Sequence, residues 1–158
     1  LKRSIQKRKT AGPRFARRSS KIHGFGIFAL RPMAKGERLL EYKGDIIDND
    51  AAMQRYPEIG CPPHTFLFDA EDDLYIDGGS NGNSGRWFNH SCKPNCESIQ
   101  DGRRVFIDTI RAIRPGEELT YDYSIILGEP HTAKAKAKWR CLCGVKACRG
   151  TLLGPKKR

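Results

Sequence analysis

Arg86-Trp87-Phe88-Asn89-His90-Ser91-Cys92, with Pro94-Asn95-Cys96 just beyond it, is the stretch on which the reading of this chain turns. On its own Asn89-His90-Ser91-Cys92 is a polar turn or half of a metal site, and one such match says little. Further along stands Glu117-Glu118-Leu119-Thr120-Tyr121-Asp122-Tyr123, whose two tyrosines at i and i+2 of a strand face the same side. Taken alone, that run is a half-buried strand with two core aromatics. A third group, Cys141-x-Cys143-x4-Cys148, packs three cysteines into eight residues.

Beyond these groups, the chain reads as mainly β. Ile22, Phe25, Ile27, Phe28 and Leu30 mix apolar residues with glycine, which predicts short strands with tight turns. Leu39–Tyr42 and Gly44–Ile47 read as a strand pair, Phe66–Phe68 and Leu74–Ile76 as strands around the acidic turn Asp69–Asp73, and residues 78–85 as a loop. Val105–Ile107 and Leu119–Tyr121 add two strands separated by Pro115-Gly116. Residues 48–63 are the one sizeable helical insertion, with Asp48 or Asn49 as N-cap and Pro57, Gly60 and Pro62-Pro63 ending it. The resulting division is a basic arm over 1–20, a body over 21–124, a linker or short helix over 125–138, a cysteine segment over 139–153 and a basic tail over 154–158.

At 158 residues the chain holds one ordinary domain. No apolar run approaches the ~18 residues of a membrane span, and Leu1-Lys2-Arg3 opens no signal peptide. The absence of an initiator methionine suggests a fragment or processed form, and a soluble intracellular protein is expected. Nine of the 29 basic residues lie in 1–21 and nine more in 130–158, with no acid in either stretch, so all 18 acids sit in the middle. The ends suit phosphate and the acidic body suits a basic ligand, although solvated tails need do neither. The six cysteines permit disulfides, but without a secretion signal and with the 141–148 cluster, metal binding is the better expectation.

The three groups, in this order, resemble the SET-domain family of protein lysine methyltransferases. Ile22-His23-Gly24-Phe25-Gly26-Ile27-Phe28-Ala29 matches the family's N-terminal motif, Glu41-Tyr42-Lys43-Gly44-Asp45 its Glu-Tyr-x-Gly-Glu strand, and Tyr75-Ile76-Asp77, Gly82-Asn83 and Arg86 the lead-in to the Asn-His loop. The likeness covers about residues 20–153. It implies the SET fold of several small sheets, a C-terminal pseudo-knot that brings the Asn-His loop against Tyr123, and a zinc-stapled segment after the domain.

The resemblance also assigns roles. S-adenosylmethionine would lie on His23, Gly24, Phe25, Gly26, Arg86, Asn89, His90, Tyr123 and Leu142, with small residues where the backbone approaches it; Arg86 and Asp77 also read as structural. Tyr123 would be the catalytic tyrosine with Tyr121 beside it, and Tyr42, Phe66, Tyr121 and Tyr123 would line the lysine channel. Cys141, Cys143 and Cys148 would bind structural zinc with Cys92 as fourth ligand, zinc being tetrahedral. Cys96 reads as packing and Cys61 as a free thiol; His23, His64 and His131 read as surface or packing residues rather than metal ligands.

The chemistry places few demands on the protein. With a pKa of ~10.4, only about 0.04% of free lysine is the neutral nucleophile at pH 7, a deficit of about 4.6 kcal/mol. An apolar channel lowers that pKa by desolvation, and a nearby sulfonium lowers it further. Alignment of amine, methyl and sulfur supplies much of the rate. A hydroxyl at Tyr121 can hold a water beside the amine and favour a mono- or dimethyl product; Phe66, at a position where relatives carry a channel tyrosine, pushes the other way, and Asp45 replaces the usual Glu.

The expected substrate is a lysine in a basic segment, such as a histone tail, with nucleic-acid contact through the tails and a chromatin location in a eukaryote or delivered to a host, otherwise a cytoplasmic one. The rival reading is a non-catalytic SET-fold module that binds chromatin or nucleic acid. A small zinc-stapled adaptor is the third.

Overall fold

The computed structural model describes residues 12–57 and 66–155. The expectations placed on residues 1–11, on 58–65 with Cys61 and His64, and on Lys156-Lys157-Arg158 lie outside the described residues. The chain begins with strand β1 (Phe15–Ser19), antiparallel to β2 (Phe25–Ala29) with Phe15 opposite Ala29. This corrects the arm expected over 1–20, whose last residues are part of a sheet. The Phe15 ring meets Phe88 edge-on at 6.2 Å, and Arg14 donates to the Glu37 carboxylate and to the Leu39 carbonyl, both at 2.7 Å. One aromatic anchor and one multivalent arginine dock a segment that has no apolar periodicity.

Strands β3 (Arg38–Glu41) and β4 (Asp45–Asp48) do not pair with each other, contrary to the sequence reading; β3 pairs with β9 (Arg104–Thr109) and β4 with β6 (Leu74–Asp77). Gly44 makes the change of sheet feasible, because a Cβ there would collide with the Asp77 backbone. Helix α1 (Asn49–Arg55) follows, capped by Asp48, which accepts from the Ala51 N–H at 2.8 Å, as read. At the C-terminal end of the helix, Arg55 and Tyr56 reach the Asp77 carboxylate at 2.8 and 2.7 Å, and the Gly79 N–H adds a third bond at 2.9 Å. These three donors satisfy a carboxylate only 1% exposed, in line with the structural part read for Asp77.

β5 (Leu67–Asp69) joins β6 in the expected hairpin around the acidic turn. A single turn of 3-10 helix (Ser84–Trp87) leads into β7 (Asn89–His90). β8 (Cys96–Asp101), which the sequence reading missed, forms a hairpin with β9 through Gly102 at φ +60°. β10 (Glu118–Tyr121) lies between β2, antiparallel, and β7, parallel. The three sheets are β1-β2-β10-β7, β3-β9-β8 and β4-β6-β5, and the mainly β expectation holds. Ile27, Phe88, Ile107, Ile113 and Leu119, all at most 2% exposed, form the core beneath them.

Asn95, 3% exposed, extends this core with its amide: Oδ1 accepts from the Thr120 N–H at 2.9 Å and Nδ2 donates to the Glu118 carbonyl at 2.8 Å. It thus serves β10 as a strand partner would. After β10, Ile125 bridges Leu153, and helix α2 (Ala133–Lys138) is capped by Thr132. Trp139, 5% exposed, then seats the cysteine segment, its carbonyl accepting from the Leu152 N–H at 2.7 Å. Residues 125–138, read as a linker or short helix, therefore hold a helix and a bridge to the C-terminal segment. No helix among the described residues is long and apolar enough to cross a membrane.

Candidate active site

The parallel pairing of β7 with β10 sets Asn89 beside Thr120 and His90 beside Tyr121. Tyr123, just past the end of β10, is held at both ends: its N–H donates to His90 Nδ1 at 3.0 Å and its hydroxyl donates to the Phe88 carbonyl at 2.6 Å. The Asn-His loop and Tyr123 are therefore in contact, as the resemblance implied. From the Tyr123 ring runs a series of aromatics: Tyr121 at 4.9 Å, then Phe68 stacked on Tyr121 at 6.0 Å, and Tyr42 at 5.2 Å from Phe68. Burial above all pushes the Tyr42 and Tyr121 phenols well above their ordinary range, and neighbouring acidic groups add to it. Both are neutral hydroxyls at any physiological pH. The Tyr42 hydroxyl donates to the Phe66 carbonyl at 2.7 Å, whereas no group among the described residues bonds to that of Tyr121.

Of the four residues expected to line a channel, Tyr42, Tyr121 and Tyr123 come together, and Phe66 meets Tyr42 by its carbonyl. Its ring lies 5.8 Å from Trp87, edge-on, and the aromatic place beside Tyr42 and Tyr121 belongs to Phe68. Sequence reasoning missed both Phe68 and Trp87. The signal for Trp87 was its adjacency to Phe88-Asn89; for Phe68 it was its place inside the strand that Phe66 precedes.

The glycine motif serves two ends. Gly24 takes φ +45°, a left-handed turn open to glycine at little cost, with nothing near where a Cβ would be. Gly26 is required by what lies under it: a Cβ would run into Glu118 Oε1 and stand 3.2 Å from Asn89 Nδ2. Those atoms form one network, in which Asn89 Nδ2 donates to Glu118 Oε1 at 2.8 Å and to the Phe25 and His23 carbonyls at 2.9 and 3.2 Å. Ser20 Oγ donates to the same carboxylate, 2.8 Å from Oε1. With its nitrogen committed in this way, Asn89 presents its oxygen as an acceptor. His23 takes part only by its carbonyl; its side chain is exposed.

His90, 3% exposed, links this region to the cysteines. Desolvation lowers its pKa to about 4 against the pull of Asp122, so the ring is neutral. Because Nδ1 accepts from Tyr123, the proton sits on Nε2, 3.3 Å from Cys92 Sγ. Cys92, Cys141, Cys143 and Cys148 place their four sulfurs within 4.8 Å of one another. Cys92 Sγ is 3.8 Å from both Cys141 and Cys148, far beyond a disulfide bond. A tetrahedral zinc with Zn–S of about 2.3 Å requires sulfur–sulfur edges of about 3.8 Å, so the cluster fits a metal ion of that class. Leu142, between two of these cysteines, is 49% exposed. Asp122 and Arg149 lock the segment to the body by a bidentate pair at 2.6 and 2.7 Å. Burial opposes ionisation of Asp122, yet this pair holds its pKa below the usual value.

The arrangement is an aromatic cage closed by a fixed hydroxyl, a polar floor that offers one amide oxygen, and a thiol cluster clamping the chain beside them. A family profile described as "SET domain" matches residues 24–124. The chain is 38% identical over 140 residues to "Histone-lysine N-methyltransferase, H3 lysine-4 specific" of Schizosaccharomyces pombe, covering 84% of this chain and 14% of that protein. It is 37% identical to "Histone-lysine N-methyltransferase set-2" of Caenorhabditis elegans over 88% of this chain and 9% of that one. For "Histone-lysine N-methyltransferase trithorax" of Drosophila virilis the values are 36%, 82% and 3%. The chain thus spans a small part of the length of the curated relatives it matches. With the matched span running from Gly24 of the glycine turn, across the Asn89-His90 loop, to the residue after Tyr123, the chain belongs to the SET-domain family.

Proposed function

We propose that this chain transfers a methyl group from S-adenosylmethionine to the side-chain amine of a lysine in a basic protein such as a histone. The observation that carries the reading is the Tyr123 hydroxyl, held on the Phe88 carbonyl at 2.6 Å at the closed end of the Tyr42–Phe68–Tyr121 cage. That cage strips water from an incoming ammonium, which favours the neutral amine and reduces the ~4.6 kcal/mol deficit. The rings confine the alkyl stem so that the nitrogen lone pair points along one line. When bound, S-adenosylmethionine supplies a methyl on a sulfonium whose sulfur leaves as a neutral thioether, so no side chain has to act as an acid. Asn89 Oδ1 and the Gly24–Gly26 backbone would hold the amino-acid end, and His90, Leu142 and the cysteine segment the adenosyl end. Arg86 belongs with the cofactor residues, and Phe66 lies at their margin rather than in the cage.

The Tyr121 hydroxyl, which no group among the described residues bonds, would hold a water beside the amine, and this supports a mono- or dimethyl product. Cys92, Cys141, Cys143 and Cys148 would hold a structural zinc, with His90 donating from Nε2 to the Cys92 thiolate. Its part would be to pin residues 139–153 across the cofactor side, completing the division into a SET body and a stapled C-terminal segment. The printed names of the relatives support a histone substrate and a chromatin setting. The exposed Lys134, Lys136 and Lys138 of α2 support an added contact with phosphate.

The test is transfer of labelled methyl to core histones and a panel of other basic proteins, wild type against Tyr123→Phe, with products read by mass spectrometry. Label on lysine that falls sharply in the variant is expected, with mono- and dimethyl species dominant. A dominant trimethyl product refutes the Tyr121 reading. No transfer to any acceptor from folded, zinc-loaded protein favours the binding-module alternative.

A further inference from the structure

We infer that His90 is a positioning residue whose ring ties the Tyr123 backbone to the thiol cluster, so that metal occupancy there sets the place of Tyr123, an inference that rests on the methyl-transfer and zinc readings above. The imidazole has a partner on each edge: Nδ1 accepts from the Tyr123 N–H at 3.0 Å, and Nε2 stands 3.3 Å from Cys92 Sγ. A backbone N–H can only donate, so Nδ1 is bare and Nε2 carries the proton, directed at the sulfur. Cys92 Sγ in turn is 3.8 Å from Cys141 and from Cys148. The ring meets that of Tyr123 edge-on at 5.4 Å and is only 3% exposed. A partner lost on either edge would therefore leave a buried group unsatisfied rather than hydrated.

The fold makes Tyr123 depend on this bond. Pairing of β7 with β10 reaches as far as the Ser91 N–H on the Tyr121 carbonyl at 3.2 Å. Two residues on, the Tyr123 N–H bonds a side chain instead of a strand. Ser124 follows at φ +45°, and Ile125 already bridges Leu153 of the C-terminal segment. Tyr123 thus stands between the sheet and the segment that the thiols clamp. A bare Nδ1 has nothing to donate to Asp122 Oδ1, 3.5 Å away, and Arg149 holds that carboxylate at 2.6 and 2.7 Å. Outer donors such as Nε2–H orient metal ligands and tune their affinity. Because the ring is rigid, a shift of Cys92 at one nitrogen moves the other, and the Tyr123 N–H loses its line to Nδ1.

The test divides the ring between two variants. The amide nitrogen of His90→Gln reaches the Nε2 place, and the amide oxygen of His90→Asn the Nδ1 place; His90→Ala has neither. Zinc affinity is measured by competition with a chromophoric chelator, exchange of the Tyr123 amide hydrogen by NMR, and kcat and KM at saturating zinc. In the wild type, removing zinc should speed exchange at Tyr123 while the amides of β9 keep their protection. His90→Ala is expected to weaken zinc roughly tenfold or more and to lower kcat by more than it raises the KM for S-adenosylmethionine. His90→Gln should recover zinc affinity and leave kcat low, with fast Tyr123 exchange whether or not zinc is bound. His90→Asn should recover part of kcat and leave zinc weak. Equal zinc affinity in all four proteins overturns the tie, as does a wild-type Tyr123 amide whose exchange ignores zinc. Gln and Asn variants that match each other on every readout also overturn it. So does a loss confined to KM, because His90 would then serve as a ligand contact only. If His90→Ala does not fold, the comparison of Gln with Asn still decides. A wild type that transfers no methyl sinks the methyl-transfer reading, and the tie is then judged on zinc affinity and amide exchange alone.

Discussion

Gly26→Ala isolates the contact on which the polar floor depends. The backbone at Gly26 has no left-handed φ, so alanine brings no strain and by chain entropy alone should stabilise by about 0.5–1 kcal/mol. The new methyl instead meets the Glu118 carboxylate and crowds Asn89 Nδ2. Glu118 cannot swing away freely, because Ser20 Oγ and Asn89 Nδ2 both donate to it at 2.8 Å. Either those charge-assisted bonds break, at about 1.5–3 kcal/mol each, or β2 shifts, at about 1–3 kcal/mol of overpacking. The net expectation is a loss of about 2 kcal/mol.

Glu118→Ala alone forfeits the same bonds and should cost a similar amount. With Glu118 gone, however, the methyl has room, so Gly26→Ala should be nearly free in that background. A double-mutant cycle by urea denaturation at saturating zinc, with m-values unchanged across the set, should therefore give a coupling of about 2 kcal/mol. Gly24→Ala is the control: its cost of about 1–2 kcal/mol comes from φ and should add independently to Glu118→Ala. Additivity of Gly26→Ala and Glu118→Ala within about 0.5 kcal/mol would mean that the glycine is there for some other reason, and the argument fails.

Removal of metal by a chelator should release one zinc per chain and expose Trp139, now 5% accessible; a red shift in tryptophan emission that readded zinc reverses is expected, while chelation without spectral change refutes a metal-held segment. Glu41 gives the acid prediction: bonds from Arg104 first and Lys43 second hold its pKa at about 2, below the ordinary 4.5. A depressed carboxylate stabilises the fold above its unfolded pKa and loses that contribution as pH falls. The gap in stability between wild type and Glu41→Gln should hold constant above about pH 5 and close toward pH 2, and a gap that widens on acidification contradicts the pairing.

The parts of this molecule that sequence reveals are those whose chemistry is local. Asp48 caps α1 because an aspartate at that position can reach the N–H three residues on, and the thiol cluster announces itself through Cys141, Cys143 and Cys148. The parts it hides depend on what lies across the fold. Phe66 and Phe68 have the same parity, so alternation alone sends both inward. The strand begins only at Leu67, the carbonyl of residue 66 is turned in to accept Tyr42 and the Gly78 N–H, and its ring is left on the Trp87 side. Likewise β1 carries no periodicity, because what docks it is Phe15 on Phe88 and Arg14 on Glu37, two contacts made with residues distant in sequence.

Gly26 shows the same limit from the other direction. The sequence reading assigned its smallness to an approaching cofactor, and the protein's own atoms on Glu118 and Asn89 also stand where a Cβ would be. A motif can therefore be recognised while one of its causes stays hidden. Recognition needs only that the residue be glycine, whereas this second cause lies in which strand passes over it. Here that strand pairing puts a carboxylate beneath the glycine, and the carboxylate takes a hydrogen bond from the Asn89 amide nitrogen, which leaves the amide oxygen as the acceptor.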